Sequence, residues 1–225
     1  MYKQIKIINF KKLDFFISKE IFTPFINLSK QKKEKLKDLF IKKGMYDGDI
    51  LGCVNYKKKN KNLILECRKI KFFDKLMQGI DKDLFPKMIA VNALIFVEDS
   101  LLLIKRPKGV YDQPGEWDFP AGIVPFSTSM EERVFDRIEK DTGIKKNYLI
   151  LREFLHFIVI LPHAIAFFYP IKCKIKKELL NEFLKKRLKK EDFILLPLKE
   201  IPLFLLSKKF VFPDILKNLN KMSIN

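Results

Sequence analysis

The pattern that sets the architecture of this chain lies in PGEWDFPAGIVPFSTSMEERVFDRIEKDTGI, residues 114–144. Its second half predicts one helix over residues 129–142. Ser129 and Glu132 have the spacing of a capping box, in which the hydroxyl accepts from a backbone N–H and the carboxylate reaches back to the cap. Gly143 stands where a glycine ends a helix. The stretch therefore reads as a loop followed by a well-delimited helix.

Three faces are expected on this helix. An apolar stripe recurs every four residues and predicts the buried face; it consists of Met130, Val134 and Ile138, with Phe135 beside them. A second face carries Arg137, Lys140 and Asp141, because residues three and four apart are neighbours on a helix. An acidic stripe, Glu132, Asp136 and Glu139, lies roughly 125° away from that second face. We interpret it as solvated carboxylates that pair with Arg133 and Lys140, and a relocated metal site is the alternative.

Two strand-like segments precede the loop. The run MIAVNALIFVEDSLLLIKRP, residues 88–107, contains two apolar, strand-like segments around a turn at residues 98–100 and predicts a β-hairpin. The segment WDFPAGIV, residues 117–124, then leads into the loop. The sequence therefore predicts a hairpin, a loop and a helix in this order.

In this order the segments resemble a Nudix box. Gly122 opens the pattern, Ile138 fills its internal hydrophobic position, and Gly143 with Ile144 closes it at the family's spacing. The resemblance implies an α+β fold, an α-β-α sandwich with a mixed sheet between helices and a small β-rich N-terminal region before it. It also implies hydrolysis of nucleoside diphosphates linked to another moiety, with Mg²⁺ or Mn²⁺ held by glutamates.

The sequence departs from the family pattern where the chemistry should be. Thr128 replaces the loop glutamate and Asp136 replaces the arginine. The three metal-binding glutamates fall on Arg137, Lys140 and Asp141, of which only the last is acidic. Because Mg²⁺ prefers carboxylate, phosphate and water oxygens, we expect impaired or altered metal-dependent catalysis. The alternative is a pseudoenzyme, a non-catalytic Nudix-like module that binds a nucleotide, RNA or a protein partner and needs no metal.

Five residues are candidates for substrate binding, each with a structural alternative. Arg106 ends the second hairpin strand and could contact a phosphate, or be an exposed strand-end arginine. Trp117 could stack on a base, or belong to the core. Gly122 opens the box, and Arg137 with Lys140 could hold a pyrophosphate where a metal would stand, or be surface residues without a ligand.

Four further residues are candidates for chemistry. Asp141 is the one remaining metal-ligand candidate of the helix. Glu153 could act as a catalytic base supplied from outside the helix, as the resemblance allows. His156 and His163 could also serve as bases, but turn or core histidines are the alternative reading.

Composition bounds the remaining functions. The 225 residues include 22 phenylalanines, and 48% of the chain is apolar, which suffices for a sizeable core. A formal net charge of +18 attracts phosphate-rich partners, a nucleotide-derived molecule or nucleic acid. Abundant lysine, isoleucine and asparagine could instead reflect the base composition of the gene. Three scattered cysteines favour a reducing compartment, and the charged N-terminus gives no sign of a leader or membrane span, so we expect a cytoplasmic protein.

The chain divides, by pattern, at residue 86. Residues 1–86 are predicted to be an N-terminal extension with a helix over 28–44 and a β-hairpin, in which Cys53 and Cys67 could be cross-strand neighbours or buried free thiols. Residues 87–225 are predicted to be the Nudix-like domain. After the box, we expect two apolar strands around residues 161–163, a charged helix, a further strand and C-terminal helices.

Overall fold

The computed structural model describes residues 6–9, 12–24, 26–42, 47–79, 84–110, 113–152 and 157–219. The helices within these ranges are α1 (Lys30–Lys42), α2 (Phe72–Gln78), α3 (Met130–Thr142), α4 (Lys177–Lys185), α5 (Ile201–Ser207) and α6 (Pro213–Leu219). The strands are β1 (Lys6–Asn9), β2 (Lys12–Ile21), β3 (Asp49–Lys59), β4 (Asn62–Lys71), β5 (Lys87–Val97), β6 (Ser100–Lys105), β7 (Trp117–Asp118), β8 (Ala121–Ile123), β9 (Leu149–Leu151), β10 (Phe157–Ile160), β11 (Ala164–Cys173) and β12 (Phe193–Pro197).

All of these strands belong to one mixed sheet. Its main path runs β1-β10-β11-β5-β3-β4-β2, and β6 to β9 and β12 attach beside β5, β6 and β11. The pairs β5–β11 and β2–β4 are parallel, and the remaining pairs are antiparallel. The mixed sheet expected from the sequence is confirmed.

The two ends of this path meet in space. β1 and β2 stand at opposite ends of it, yet only residues 10 and 11 separate them along the chain. Asn9 pairs with Phe157 of β10 and Lys12 pairs with Asn62 of β4, and three residues span at most about 11 Å. The sheet therefore curls so that its two end strands, β1 and β2, lie near each other. The rings of Phe15 on β2 and Phe167 on β11 lie 6.1 Å apart across the interior.

Helices cover both faces of the sheet, as the sequence predicted. On one face α3 and α4 bury Val134, Ile138, Leu180 and Leu184 in the larger core. On the other face α5 and α6 bury Ile201, Phe204, Ile215 and Leu216. The arrangement is an α-β-α sandwich with a β-rich N-terminal part, and it places α3 against the sheet beside β8.

The predicted N-terminal elements are present. α1 lies within the predicted helix over 28–44, and the Lys32 N–H donates to the Ser29 hydroxyl at 3.4 Å; the expected stop at Gly44 falls outside the described residues. β3 and β4 form the predicted hairpin. β3 also pairs with β5 through Gly52 and Met88. Strands from both sides of residue 86 thus share one sheet, and the division into two domains at that point stays a prediction.

Cys53 and Cys67 are direct cross-strand partners on β3 and β4, and both are fully buried free thiols. The Cys53 thiol donates to the Asn55 carbonyl at 3.0 Å. Contact with Cys53 and burial raise the pKa of the Cys67 thiol. Both alternatives drawn from the sequence hold at once, since the two cysteines are neighbours and also core side chains.

Candidate functional site

The box begins on a short strand that is fixed by the sheet. β8 pairs with β5 through Gly122 and Val91, and the chain then turns into α3. The Ser129 N–H donates to the Glu132 carboxylate at 3.0 Å, and the Glu132 N–H donates to the Ser129 hydroxyl at 3.1 Å. Hydrogen bonding of the Glu132 carboxylate to the Ser129 side chain and to the Ser129 N–H lowers the pKa of the Glu132 carboxyl. At the other end Gly143 has φ 78° and its N–H donates to the Glu139 carbonyl at 2.8 Å. The predicted helix and both of its ends are confirmed.

The apolar stripe of α3 packs as expected. Val134 and Ile138 are 0% exposed and Phe135 is 8% exposed, whereas Met130 is only partly buried. This packing fixes the rotation of the helix. It leaves the side chains of Arg133, Arg137 and Asp141 half-buried beside the loop, and Lys140 exposed.

The centre of the site is an ion pair between two of the three helix positions that the resemblance to a Nudix box assigns to metal ligands. The Arg137 guanidinium donates to the Asp141 carboxylate one turn later, and the two side chains are 20% and 14% exposed. Burial raises the pKa of the Asp141 carboxyl, and the attraction of Arg137 and a hydrogen bond from the Ala121 backbone oppose that rise. The last acid at a ligand position is thus held by a neighbouring cation.

Gly122 allows Arg137 to take this position. A Cβ atom on Gly122 would lie 2.7 Å from both Cγ and Cδ of Arg137, so only glycine leaves room for the aliphatic part of the arginine. Arg133 lies alongside and donates from Nε to the Ile123 carbonyl at 2.9 Å. Both arginines therefore connect α3 to β8, Arg137 by packing on Gly122 and Arg133 by its hydrogen bond to Ile123.

The acidic stripe does not supply a substitute metal site. Glu132 belongs to the capping box, Asp136 accepts from Arg133 at 2.6 Å, and the carboxylate of Glu139 lies 3.6 Å from the Lys145 ammonium. Among the residues that the structure describes, no three His, Cys, Asp or Glu side chains converge as metal ligands. The expected pairing of Asp136 with Arg133 is confirmed, and the donor set at the box does not fit Mg²⁺ or Mn²⁺.

Arg106 also has a protein partner. Its guanidinium donates to Asp118 at 2.7 Å, and the Asp118 side chain is 2% exposed. The other Asp118 oxygen accepts from the Phe119 N–H at 2.8 Å. Arg106 is thus tied to the strand that leads into the box, and any phosphate contact by it has to compete with this pair.

Trp117 lies away from the box ion pair. Its ring packs edge-on against Phe204 of α5, with centroids 5.9 Å apart. It also lines an open cleft of about 560 Å³ whose other described walls come from α4, the turn after it and β12. Gly122, Arg137, Lys140 and Asp141 are not among the described residues that line this cleft. The structure therefore brings Gly122, Arg137 and Asp141 together and places Trp117 in a second location.

The remaining chemical candidates divide by position. Glu153 and His156 lie outside the described residues. His163 is 6% exposed, and its carbonyl accepts from the Met88 N–H at 2.9 Å, which fits the core reading. Sequence reasoning did not assign Asp118 or Arg133 to the site. The sequence did contain a signal for Arg133. It lies four residues before Arg137, and this spacing places both arginines on the side of α3 that faces the loop.

No protein-family model matches the sequence, and no curated protein matches it. The solved structures with a similar fold include the Ap4A hydrolase of C. elegans, with 12% identity, a TM-score of 0.44, and coverage of 60% of this chain and 97% of that one. A mutT/nudix family protein from Listeria innocua has 16% identity, a TM-score of 0.44, and coverage of 61% and 94%. NrtR of Shewanella oneidensis has 16% identity, a TM-score of 0.42, and coverage of 60% and 61%. Likenesses at this level do not assign an activity to the chain.

No helix in the described ranges is long and apolar enough to cross a membrane.

Proposed function

We propose that this chain is a degenerate Nudix-family protein, related to hydrolases of nucleoside diphosphate-linked compounds, that works as a ligand-binding module without metal-dependent catalysis. The order of hairpin, glycine loop and capped helix supports the family. The ion pair between Arg137 and Asp141 is the observation that supports the loss of catalysis.

The physical argument concerns charge at the ligand positions. A divalent cation at this place would have to displace Arg137 from Asp141 and would then face two cations, the partly buried Arg137 and the exposed Lys140. Two unit charges about 4 Å apart at a partly buried site interact by about 4 kcal/mol. Repulsion of that size from the partly buried Arg137 offsets the attraction of the single remaining carboxylate, and the exposed Lys140 adds a weaker, solvent-screened repulsion. The protein thus supplies its own positive charge where the family would hold a metal.

The ligand class follows from the same charges. The guanidinium of Arg137 presents several N–H donors in a planar fork that matches a phosphate, and Lys140 beside it is exposed. An anionic ligand would compete with Asp141 for Arg137, and release of that carboxylate would be the cost of binding. A nucleotide-derived phosphate or diphosphate fits this donor set.

Metal and nucleotide titrations test the two parts of the proposal. Calorimetry with Mg²⁺ and with Mn²⁺ should show no saturable binding below about millimolar concentration, and a panel of nucleoside diphosphate derivatives should show no metal-dependent turnover. Micromolar metal affinity that Asp141→Ala abolishes would overturn the loss of catalysis.

The binding arm uses ADP and ADP-ribose without metal. We expect both to bind the parent protein, and Arg137→Ala with Lys140→Ala to weaken binding at least about tenfold. The matched control is Lys58→Ala with Lys61→Ala in the β3–β4 hairpin, which should leave affinity unchanged. Failure of the parent to bind either compound would sink the assignment of the ligand.

A further inference from the structure

The lysine-rich segment 185–190 lies against the end of the box helix. A Cβ atom on Gly143 would overlap the side chain of Arg187, with its Cδ only 2.7 Å away. Arg187 therefore rests on the backbone of the glycine that ends α3, where the negative end of the helix dipole favours a cation. Two basic segments that are about 45 residues apart in sequence become one surface.

Further cations border the same place. Lys146 lies over the Phe135 ring at 4.7 Å, and Lys174 donates to the Asn147 carbonyl at 3.2 Å. Tyr148, between them in sequence, is 45% exposed. We define the basic surface by its exposed cations, which are Lys140, Lys145, Lys146, Lys174, Lys185, Lys186, Arg187, Lys189 and Lys190.

The charge of this surface is largely uncompensated. Of its nine cations only Lys145 forms an ion pair with a described residue, Glu139, at 3.6 Å. Elsewhere on the chain, cations such as Arg68, Arg106 and Lys71 are paired with carboxylates. A concentration of unpaired positive charge attracts a polyanion and binds it in a salt-dependent way.

The basic surface leads into the cleft that contains Trp117. Lys185 and Lys190 belong to the surface and also line the cleft, together with Asn181 and the partly buried Trp117. Two carboxylates, Glu178 and Glu191, line it as well, so the excess of positive charge lies on the surface beside the cleft and not within it. The volume of about 560 Å³ is within the range of pockets that accept a small organic group. An aromatic ring for stacking, an amide for hydrogen bonding and lysines for phosphate thus come from different parts of the chain to one opening.

We propose that the basic surface and the Trp117 cleft together bind single-stranded nucleic acid. The backbone phosphates lie along the lysines, and one base enters the cleft and stacks beside Trp117. A single strand is required because a base paired in a duplex cannot leave its stack without loss of pairing, whereas unpaired bases stack on aromatic side chains without sequence preference. The Arg137–Asp141 pair takes no part. Lys140 belongs to both sites, but the variants that test the basic surface leave it unchanged, so this proposal and the proposed function can fail separately.

A general excess of lysine is the competing explanation, and the chain provides a control for it. The four lysines 185, 186, 189 and 190 can be changed to glutamine together, without touching Arg187. The control changes four exposed lysines of the β3–β4 hairpin, 57, 58, 59 and 61, in the same way. Both variants lose the same charge, and only the first loses it beside the cleft.

The experiment measures fluorescence anisotropy of a labelled 20-nucleotide uridine-rich RNA, with the matching DNA strand and an RNA duplex as further probes. The 185–190 variant should bind the single strand at least about tenfold more weakly than the parent, and its salt slope should fall by up to about 3, since each lost phosphate contact removes about 0.7. The hairpin variant should lose less than about threefold. Both a preference for RNA over DNA and equal binding of the two support the proposal. A preference for RNA indicates that the protein recognises the 2′-hydroxyl, and equal binding indicates that it recognises the phosphates.

Trp117 supplies a second readout because it is the only tryptophan of the chain. Its intrinsic emission should be quenched by unlabelled single strand in the parent protein and not by inorganic phosphate. Equal losses in the two lysine variants, absence of binding by the parent, stronger binding of the duplex, or unchanged Trp117 emission at saturation would each overturn the proposal.

Discussion

The aliphatic part of Arg137 occupies the space that a side chain on Gly122 would fill, with Cγ and Cδ each 2.7 Å from the position of a Cβ atom there. The glycine of the loop and the arginine of the helix are therefore complementary. This close approach positions the guanidinium beside Asp141. Gly122 thus makes room for the Arg137 side chain on the face of α3 that carries Asp141.

Gly122→Ala should destabilise the protein because the new methyl group overlaps Arg137. Overpacking of this kind costs about 1–3 kcal/mol, and Arg137→Ala in the same chain should recover part of the loss. The matched control is Gly109→Ala, since nothing lies within 4 Å of a Cβ atom at that position. Chemical denaturation of the parent, the two single variants, the double variant and the Gly109→Ala control measures the effect. Additive losses for Gly122→Ala and Arg137→Ala would contradict the contact.

Arg137→Met should raise the pKa of the Asp141 carboxyl further. That pKa already lies above its ordinary value of 3.8 because of burial, and Arg137 opposes the rise. An acid with a raised pKa in the folded state holds its proton more tightly when folded, so stability falls as pH rises from 3.8 through the folded pKa. The variant should extend this fall to higher pH.

Carboxyl ¹³C chemical shifts across a pH titration report the Asp141 pKa directly. Lys145→Met removes the same charge from the Glu139 pair and is the control, for which the Asp141 titration should not move. A lower Asp141 pKa in the Arg137→Met protein would show that the guanidinium does not stabilise the carboxylate.

Restoration of the family pattern should create metal-dependent activity. The substitutions are Thr128→Glu, Asp136→Arg, Arg137→Glu, Lys140→Glu and Asp141→Glu, on a loop and helix that are already in place. We expect Mg²⁺-dependent release of a phosphate-containing product from a nucleoside diphosphate derivative, with the parent at least about tenfold slower, or ~1.4 kcal/mol of barrier. The control carries Asp141→Ala in place of Asp141→Glu. Equal activity in parent and restored protein would mean that other residues bind the metal.

Val134→Asp should prevent stable folding. Val134 is 0% exposed within the core between α3 and the sheet, and an unpaired carboxylate there has to be desolvated or protonated. We expect the free energy of unfolding to fall by about 4 kcal/mol or more, a loss typical of substitutions that bury an unpaired charge. Glu131→Asp, on the exposed side of the same helix, is the control and should melt within a few degrees of the parent. A parent-like melt for Val134→Asp would show that this face of α3 is not buried.

Removal of residues 1–21 should destabilise the rest of the chain. β1 covers the edge of β10 and β2 covers the edge of β4, so the truncated sheet would expose two edges and lose the packing of Phe15 near Phe167. Exposed edges promote association of chains. We expect a lower melting temperature and concentration-dependent aggregation. An unchanged melt would support an N-terminal part that is independent of the remainder.

The elements of this fold could be predicted from local patterns. The four-residue spacing of Val134 and Ile138, the cap formed by Ser129 and the glycine at 143 specify α3 because each acts within one or two helical turns. Strand-like segments on both sides of a turn predicted the hairpins in the same way. The presence of Arg137 and Lys140 at positions where the Nudix resemblance predicts glutamates was also visible in the sequence, and the spacing of Arg137 and Asp141 allowed a pair between them.

Only the tertiary structure decided how those elements meet. The burial of the Arg137–Asp141 pair depends on β8 lying beside α3, and the pairing of Arg106 with Asp118 depends on the register of β6 and β7. The pairing of β1 with β10 and of β2 with β4, and the contact of Arg187 with Gly143, join residues far apart in sequence. Such contacts arise from which strands pair and which faces are buried, and these are properties of the whole packed chain that no local spacing encodes.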